Sequence, residues 1–162
     1  MGSLFNNGIS LAVLGALITI VFSGYGSAKG ISIASEVATG VMSENPDMFG
    51  KLLILVALPG TQGIYGFVTG ILVFIKTGVL GDKLVDLTIG QGAQILFICS
   101  CQAFILCTSA IYQGKVAANG VAMTGKKPEA SMKGVILAVL VETYAVLGLL
   151  AGILGIMLGI KI

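Results

Sequence analysis

Four long apolar stretches with short polar connections dominate the chain, at roughly residues 9–35, 52–75, 87–124 and 134–160. A helix needs about 20 predominantly apolar residues to cross a bilayer. Each stretch is therefore long enough to span, and the third is long enough to project beyond the membrane. The pattern predicts an all-α membrane protein with four transmembrane helices. Small residues recur inside the stretches at steps of three or four. The first carries Ala12, Ala16, Thr19, Ser23, Gly26, Gly30 and Ala34, and the second Pro59, Gly63, Gly66 and Gly70. The third carries Ala110, Gly114, Ala118 and Ala122, and the fourth Gly148, Gly152, Gly155 and Gly159. In lipid, such residues let helix backbones approach closely. Packing within one chain would use them. So would a crowded ring of identical subunits whose first and third helices line a tight inner wall, and four stripes in so short a chain favour the ring.

Composition strengthens the membrane reading. The chain of 162 residues is 56% hydrophobic and only 10% charged, with a mean hydropathy of +1.05. A water-soluble domain of this size could not clothe itself in polar surface with so few charges. A net charge of +2 gives no footing for nucleic acid. All nine basic residues are lysines, and six of them (Lys29, Lys51, Lys115, Lys126, Lys127 and Lys133) flank the connections after the first and third stretches. Only Lys76, Lys83 and Lys161 lie toward the other side. The positive-inside rule then places both hairpin loops in the cytoplasm and both termini outside a cell membrane. No lysine precedes the first stretch, so it lacks the basic leader of a secretory signal and reads as a retained first helix. Cys99, Cys101 and Cys107 all fall in the third stretch. Their odd number argues against a disulfide framework, and they read as small packing residues.

The chain is also a duplication. A shift of 82 positions lays Pro46–Leu72 over Pro128–Leu154 without a gap, with ten of 27 pairs identical. Upstream, Ser23 and Lys29 correspond to Ser109 and Lys115 at a slightly different offset. The expected organisation is two tandem helical hairpins, residues 1–80 and 81–162. A unit of two crossings returns to its starting side, so the copies are parallel. Inverted copies would have indicated an alternating-access transporter.

The copies diverge at mid-membrane. Glu142 of the second corresponds to Gly60 of the first, while Tyr144 and Leu147 correspond to Gln62 and Tyr65. Glu142 lies near the centre of GVILAVLVETYAVLGLLAGILGI. A charge there costs about 2.5–3.5 kcal/mol on insertion scales, so it must be neutralised by a proton, a cation or a basic partner. Arginine and histidine are missing, and every lysine lies near a helix end. In LPGTQGIYGF, Leu58, Thr61, Gln62 and Tyr65 share one helical face. Pro59 lacks an N–H and so frees the Leu55 carbonyl. Gln113, in AIYQGKVAANG, belongs at similar depth. Thr61 has a plain alternative in bonding back to its own helix. The two glutamines have one in an interhelical hydrogen bond worth about 1 kcal/mol. A single carboxylate with several neutral oxygens suits one monovalent hard cation better than Ca²⁺ or Mg²⁺. A proton would need the glutamate alone, so the added oxygens favour Na⁺ over H⁺.

LPGTQGIYGF, IYQGKVAANG, VETYAVLG and SGYGSAKG together resemble the rotor-ring proteolipids of the V-type ATPases. The resemblance is greatest to the K, or c-type, subunits of bacterial Na⁺-transporting enzymes, and it spans almost the whole chain. It implies a membrane ring of identical subunits, bathed in lipid, that turns against a stator while a separate head hydrolyses ATP. It implies one cation per subunit, with the Leu58 carbonyl, Thr61, Gln62, Gln113 and Glu142 as ligands. Tyr65 would hydrogen-bond Glu142 and hold the site closed. The implied partners are a stator membrane subunit supplying an arginine and the central-stalk subunits. Proton-pumping relatives generally lack the Thr-Gln pair. With the cation gone, protons should compete with Na⁺ at lower pH. The alternatives are an H⁺-carrying rotor subunit and a proton-coupled small antiporter. Such an antiporter usually wants an aromatic-lined cavity, whereas this chain has no tryptophan. A purely structural four-span protein would leave the Glu142 constellation unexplained.

Overall fold

The computed structural model describes residues 8–81 and 83–161, and all the regular structure in it is helical. Helix α1 runs Gly8–Glu44, α2 Phe49–Ala57, α3 Thr61–Lys76, α4 Ile89–Lys126 and α5 Ser131–Leu154. A 3₁₀ turn at Leu58–Gly60 joins α2 to α3, and a π turn at Gly155–Gly159 extends α5. Four helical segments are long and apolar enough to cross a membrane: Gly8–Glu44, Pro46–Lys76, Ile89–Lys126 and Pro128–Gly159.

Both hairpins turn in the same way. Each long helix stops one residue short of a proline, at Asn45-Pro46 and Lys127-Pro128, and a 3₁₀ turn starts the return. The residue before proline is pushed out of the helical region by the proline ring. Accordingly Asn45 sits at φ −142°, ψ 89° and Lys127 at φ −140°, ψ 92°. Across the membrane, α4 begins with a reciprocal cap: the Thr88 hydroxyl accepts from Gln91 N–H at 3.2 Å, and Thr88 N–H donates to Gln91 Oε1 at 2.9 Å. On this side Lys76 Nζ donates to the Ile156 and Ile160 carbonyls, both at 2.6 Å, joining the end of α3 to the end of the fourth crossing. A cation there complements the exposed carbonyls of a helix C-terminus.

Helices α1 and α4 form the central contact; α3 packs against α1, and α5 against α4. Gly30 and Gly114 lie backbone to backbone, so that a Cβ on Gly114 would overlap the Gly30 carbonyl. Ala12, Ala16, Thr19, Ser23 and Ala110 are likewise buried, while Phe97, Phe104 and Leu158 point outward. Small residues inside and large apolar ones outside is the arrangement of a helix bundle solvated by lipid.

Two sequence expectations change. The first helix continues past residue 35 to Glu44, because Ala34 and Ala38 remain buried on its inner face while Ser32 and Glu36 pair along its exposed side at 3.2 Å. It therefore nearly matches α4 in length and includes Glu36. The small-residue stripes, moreover, are used within the chain. Gly26 faces Cys107, Gly63 faces Ser27, Gly66 faces Ser23 and Gly148 faces Ile105. Gly155 meets Ile98, whereas Gly159 meets nothing within 4 Å and Ala122 is exposed. These stripes account for the packing of a single subunit and give no separate support to a ring.

Candidate cation site

The second crossing is irregular where LPGTQG lies. With no N–H on Pro59, the chain tightens into the Leu58–Gly60 turn and starts a fresh helix at Thr61. The carbonyl engaged at this break is that of Leu58. It accepts from Thr61 N–H and, at 3.1 Å, from the Thr61 hydroxyl. Pro59 still offers no N–H to the Leu55 carbonyl, while the Thr61 hydroxyl engages the carbonyl of Leu58.

From this break a chain of hydrogen bonds crosses to the other hairpin. Thr61 Oγ1 lies 3.3 Å from Gln62 Oε1, which shares the hydroxyl's single proton with the Leu58 carbonyl. Gln62 Nε2 donates to Gln113 Oε1 at 2.6 Å. Gln113 Nε2 donates to Ala138 O at 3.1 Å and to Glu142 Oε2 at 3.3 Å. Tyr65 completes the set, its hydroxyl donating to Glu142 Oε1 at 2.7 Å. Gln62 and Gln113 are fully enclosed, whereas Thr61, Tyr65 and Glu142 are half-buried. Thus α3, α4 and α5 each contribute, and the lone carboxylate is held by neutral donors. Among the described residues no group of three His, Cys, Asp or Glu gathers anywhere.

Sequence reading overlooked three polar contacts. Ser27, on α1, accepts a hydrogen bond from Gly63 N–H at 2.8 Å. The shift of 86 that pairs Ser23 with Ser109 also pairs Ser27 with Gln113, so the duplication contained the signal. Ser109 Oγ donates to Val141 O at 3.2 Å, next to Glu142. Gln102 Nε2 donates to Thr69 Oγ1 at 2.8 Å, an amide–hydroxyl pair between the two hairpins, and among the described residues the buried Gln102 Oε1 has no partner.

A duplicated bundle of four membrane helices with one central carboxylate defines the class of membrane proteolipids. The family model for the C subunit of ATP synthase matches the chain twice, at residues 14–73 and 96–155, at the same shift of 82 found within the sequence. The chain belongs to this family and is a non-catalytic, ion-translocating rotor proteolipid; other subunits of such ATPases hydrolyse ATP. Among its relatives is the V-type sodium ATPase subunit K of Enterococcus hirae, 46% identical over 143 residues that cover 88% of each chain. Another is the A-type ATP synthase subunit K of Methanocaldococcus jannaschii, 38% identical over 137 residues, covering 83% of this chain and 58% of the relative.

Proposed function

We propose that the chain is the rotor-ring subunit of a V/A-type ATPase that carries one Na⁺ at Glu142. The observation that carries this reading is the continuous network Thr61–Gln62–Gln113–Glu142–Tyr65, which gathers two hydroxyls and two side-chain amides beside a single mid-membrane carboxylate. One carboxylate balances one monovalent charge, and among the described residues no cluster of three or more His, Cys, Asp or Glu gathers that could hold a divalent ion. The sodium ATPase subunit among its relatives supports the same ion. Gln113 here turns its nitrogen toward Glu142. Gln62 Oε1 already faces Thr61 Oγ1 beside the Leu58 carbonyl, and a half-turn of the Gln113 amide about its soft terminal torsion would turn a second amide oxygen toward Glu142.

Loaded, the site is neutral enough to face lipid. Unloaded, ionised Glu142 needs a compensating charge, and a stator arginine would supply it as each rotor copy passes and discharges its ion. Each hairpin, residues 1–80 and 81–162, contributes half of the site. Both hairpin turns face the cytoplasm, where the central stalk docks, with the termini outside a cell membrane. Equilibrium binding of radioactive Na⁺ to the purified protein tests this directly. One ion per chain, abolished in Glu142→Gln, is expected. Binding that survives the substitution would refute the assignment.

A further inference from the structure

Helix α3 begins in the middle of the membrane, and its beginning creates a difficulty. The first N–H groups of a helix have no partner within it, and the N-cap side chain ordinarily accepts from one of them. Here the N-cap position is Gly60, which makes no side-chain cap. The needed oxygen comes from another helix: Ser27 Oγ accepts from Gly63 N–H, at the third position of α3, at 2.8 Å. Ser27 is almost fully buried, at 6% exposure. Gly63 is the residue that permits this approach, because a Cβ there would lie 3.2 Å from Ser27 Oγ.

We propose that Ser27 is a positioning residue for the cation site, capping the broken helix from outside and fixing the turn that carries the Leu58 carbonyl, Thr61 and Gln62. The three groups lie within five residues of Gly63 along the chain. Their placement relative to Gln113 and Glu142 depends on where α3 starts. In lipid, water does not replace a lost cap, so an uncapped Gly63 N–H forces the start of the helix to shift or fray. Ser27 is not among the hydrogen-bond partners of Glu142 and stands outside the proposed ligand set. Its removal should therefore alter cation binding without altering how readily Glu142 takes a proton.

The inference rests on the Na⁺ reading above, and one experiment separates the two. Radioactive Na⁺ affinity is measured on the full-length purified protein and on Ser27→Ala, Ser27→Thr and Gly63→Ala. In the same samples, the pH midpoint for carbodiimide modification of Glu142 is measured without Na⁺. Ser27→Ala is expected to weaken Na⁺ binding by about fivefold, the usual scale of a lost cap, with an unchanged pH midpoint. Ser27→Thr, which keeps the hydroxyl, should stay within about twofold of the parent protein, again on the capping scale. Should Ser27→Ala fail to assemble, the other two variants decide, with Gly63→Ala weakened and Ser27→Thr near normal. Parent-like affinity in Ser27→Ala, equal weakening in Ser27→Thr, or an unaffected Gly63→Ala would overturn the role of Ser27. Failure of the parent protein to bind Na⁺ would instead overturn the sodium reading, and this inference with it.

Discussion

Gln113 stands at the junction of the network, accepting from Gln62 and donating to Glu142. Gln113→Ala would strand the Gln62 amide in a fully enclosed position, and an unpaired buried polar group costs about 1–3 kcal/mol. Na⁺ affinity should therefore fall by about tenfold or more, with the fold retained. Tyr65→Phe removes only the hydroxyl bond to Glu142 Oε1. Its expected signature is faster Na⁺ release, measured by isotope exchange, with a smaller loss of affinity. Parent-like binding in Gln113→Ala would remove that side chain from the ligand set. At this scale the sequence was highly informative. A lone mid-span acid with no arginine, and a proline break beside Thr61 and Gln62, mark themselves by being costly in lipid. Ser27 was hidden because serine is also small, and its place beside Gly26 made it look like more packing stripe. Only the partner amide on another helix distinguishes a cap from a filler.

At the scale of the helices, backbone separation governs the packing. Gly30 and Gly114 touch through their backbones, and any side chain at position 114 must push α1 from α4. Gly114→Ala should lower the thermal stability of the purified protein markedly. Gly40, by contrast, has open space around its Cβ position, so Gly40→Ala should be neutral or slightly stabilising, by up to about 1 kcal/mol of helix propensity. Equal behaviour of the two variants would contradict the packing described. Apolar runs located all four crossings correctly but misplaced the end of the first, because hydropathy reports lipid contact rather than helix continuation. From Ser32 to Glu44 the exposed side turns polar while Ala34 and Ala38 still pack inward. The glycine stripes showed that helices meet closely. They did not show whether the partner was the same chain, which spacing alone leaves undetermined.

For the whole molecule, the exposed surface is dominated by large side chains such as Phe22, Phe67, Leu147 and Leu150. Lipid and neighbouring copies of the chain are the two environments that accept such a surface, and the family assembles as rings of identical subunits in rotary ATPases. Native mass spectrometry in mild detergent should give a closed oligomer well above a dimer. A dimer would favour the antiporter alternative. The duplication could be read from the sequence, and the family match repeats it at the same shift. Ring size lies in contacts between copies, which one chain does not contain.

The most direct test of Na⁺ carriage is the rate at which a hydrophobic carbodiimide modifies Glu142 in the purified protein, measured across pH with and without Na⁺. The reagent needs a protonated carboxyl. Bound Na⁺ should therefore protect, and the concentration needed should rise as pH falls, because proton and cation compete for one carboxylate. Protection by low-millimolar Na⁺ that is lost in Gln113→Ala is the predicted result. Modification indifferent to Na⁺ at every pH would contradict it, leaving Glu142 a proton carrier and the Thr61–Gln62–Gln113 network a matter of helix packing.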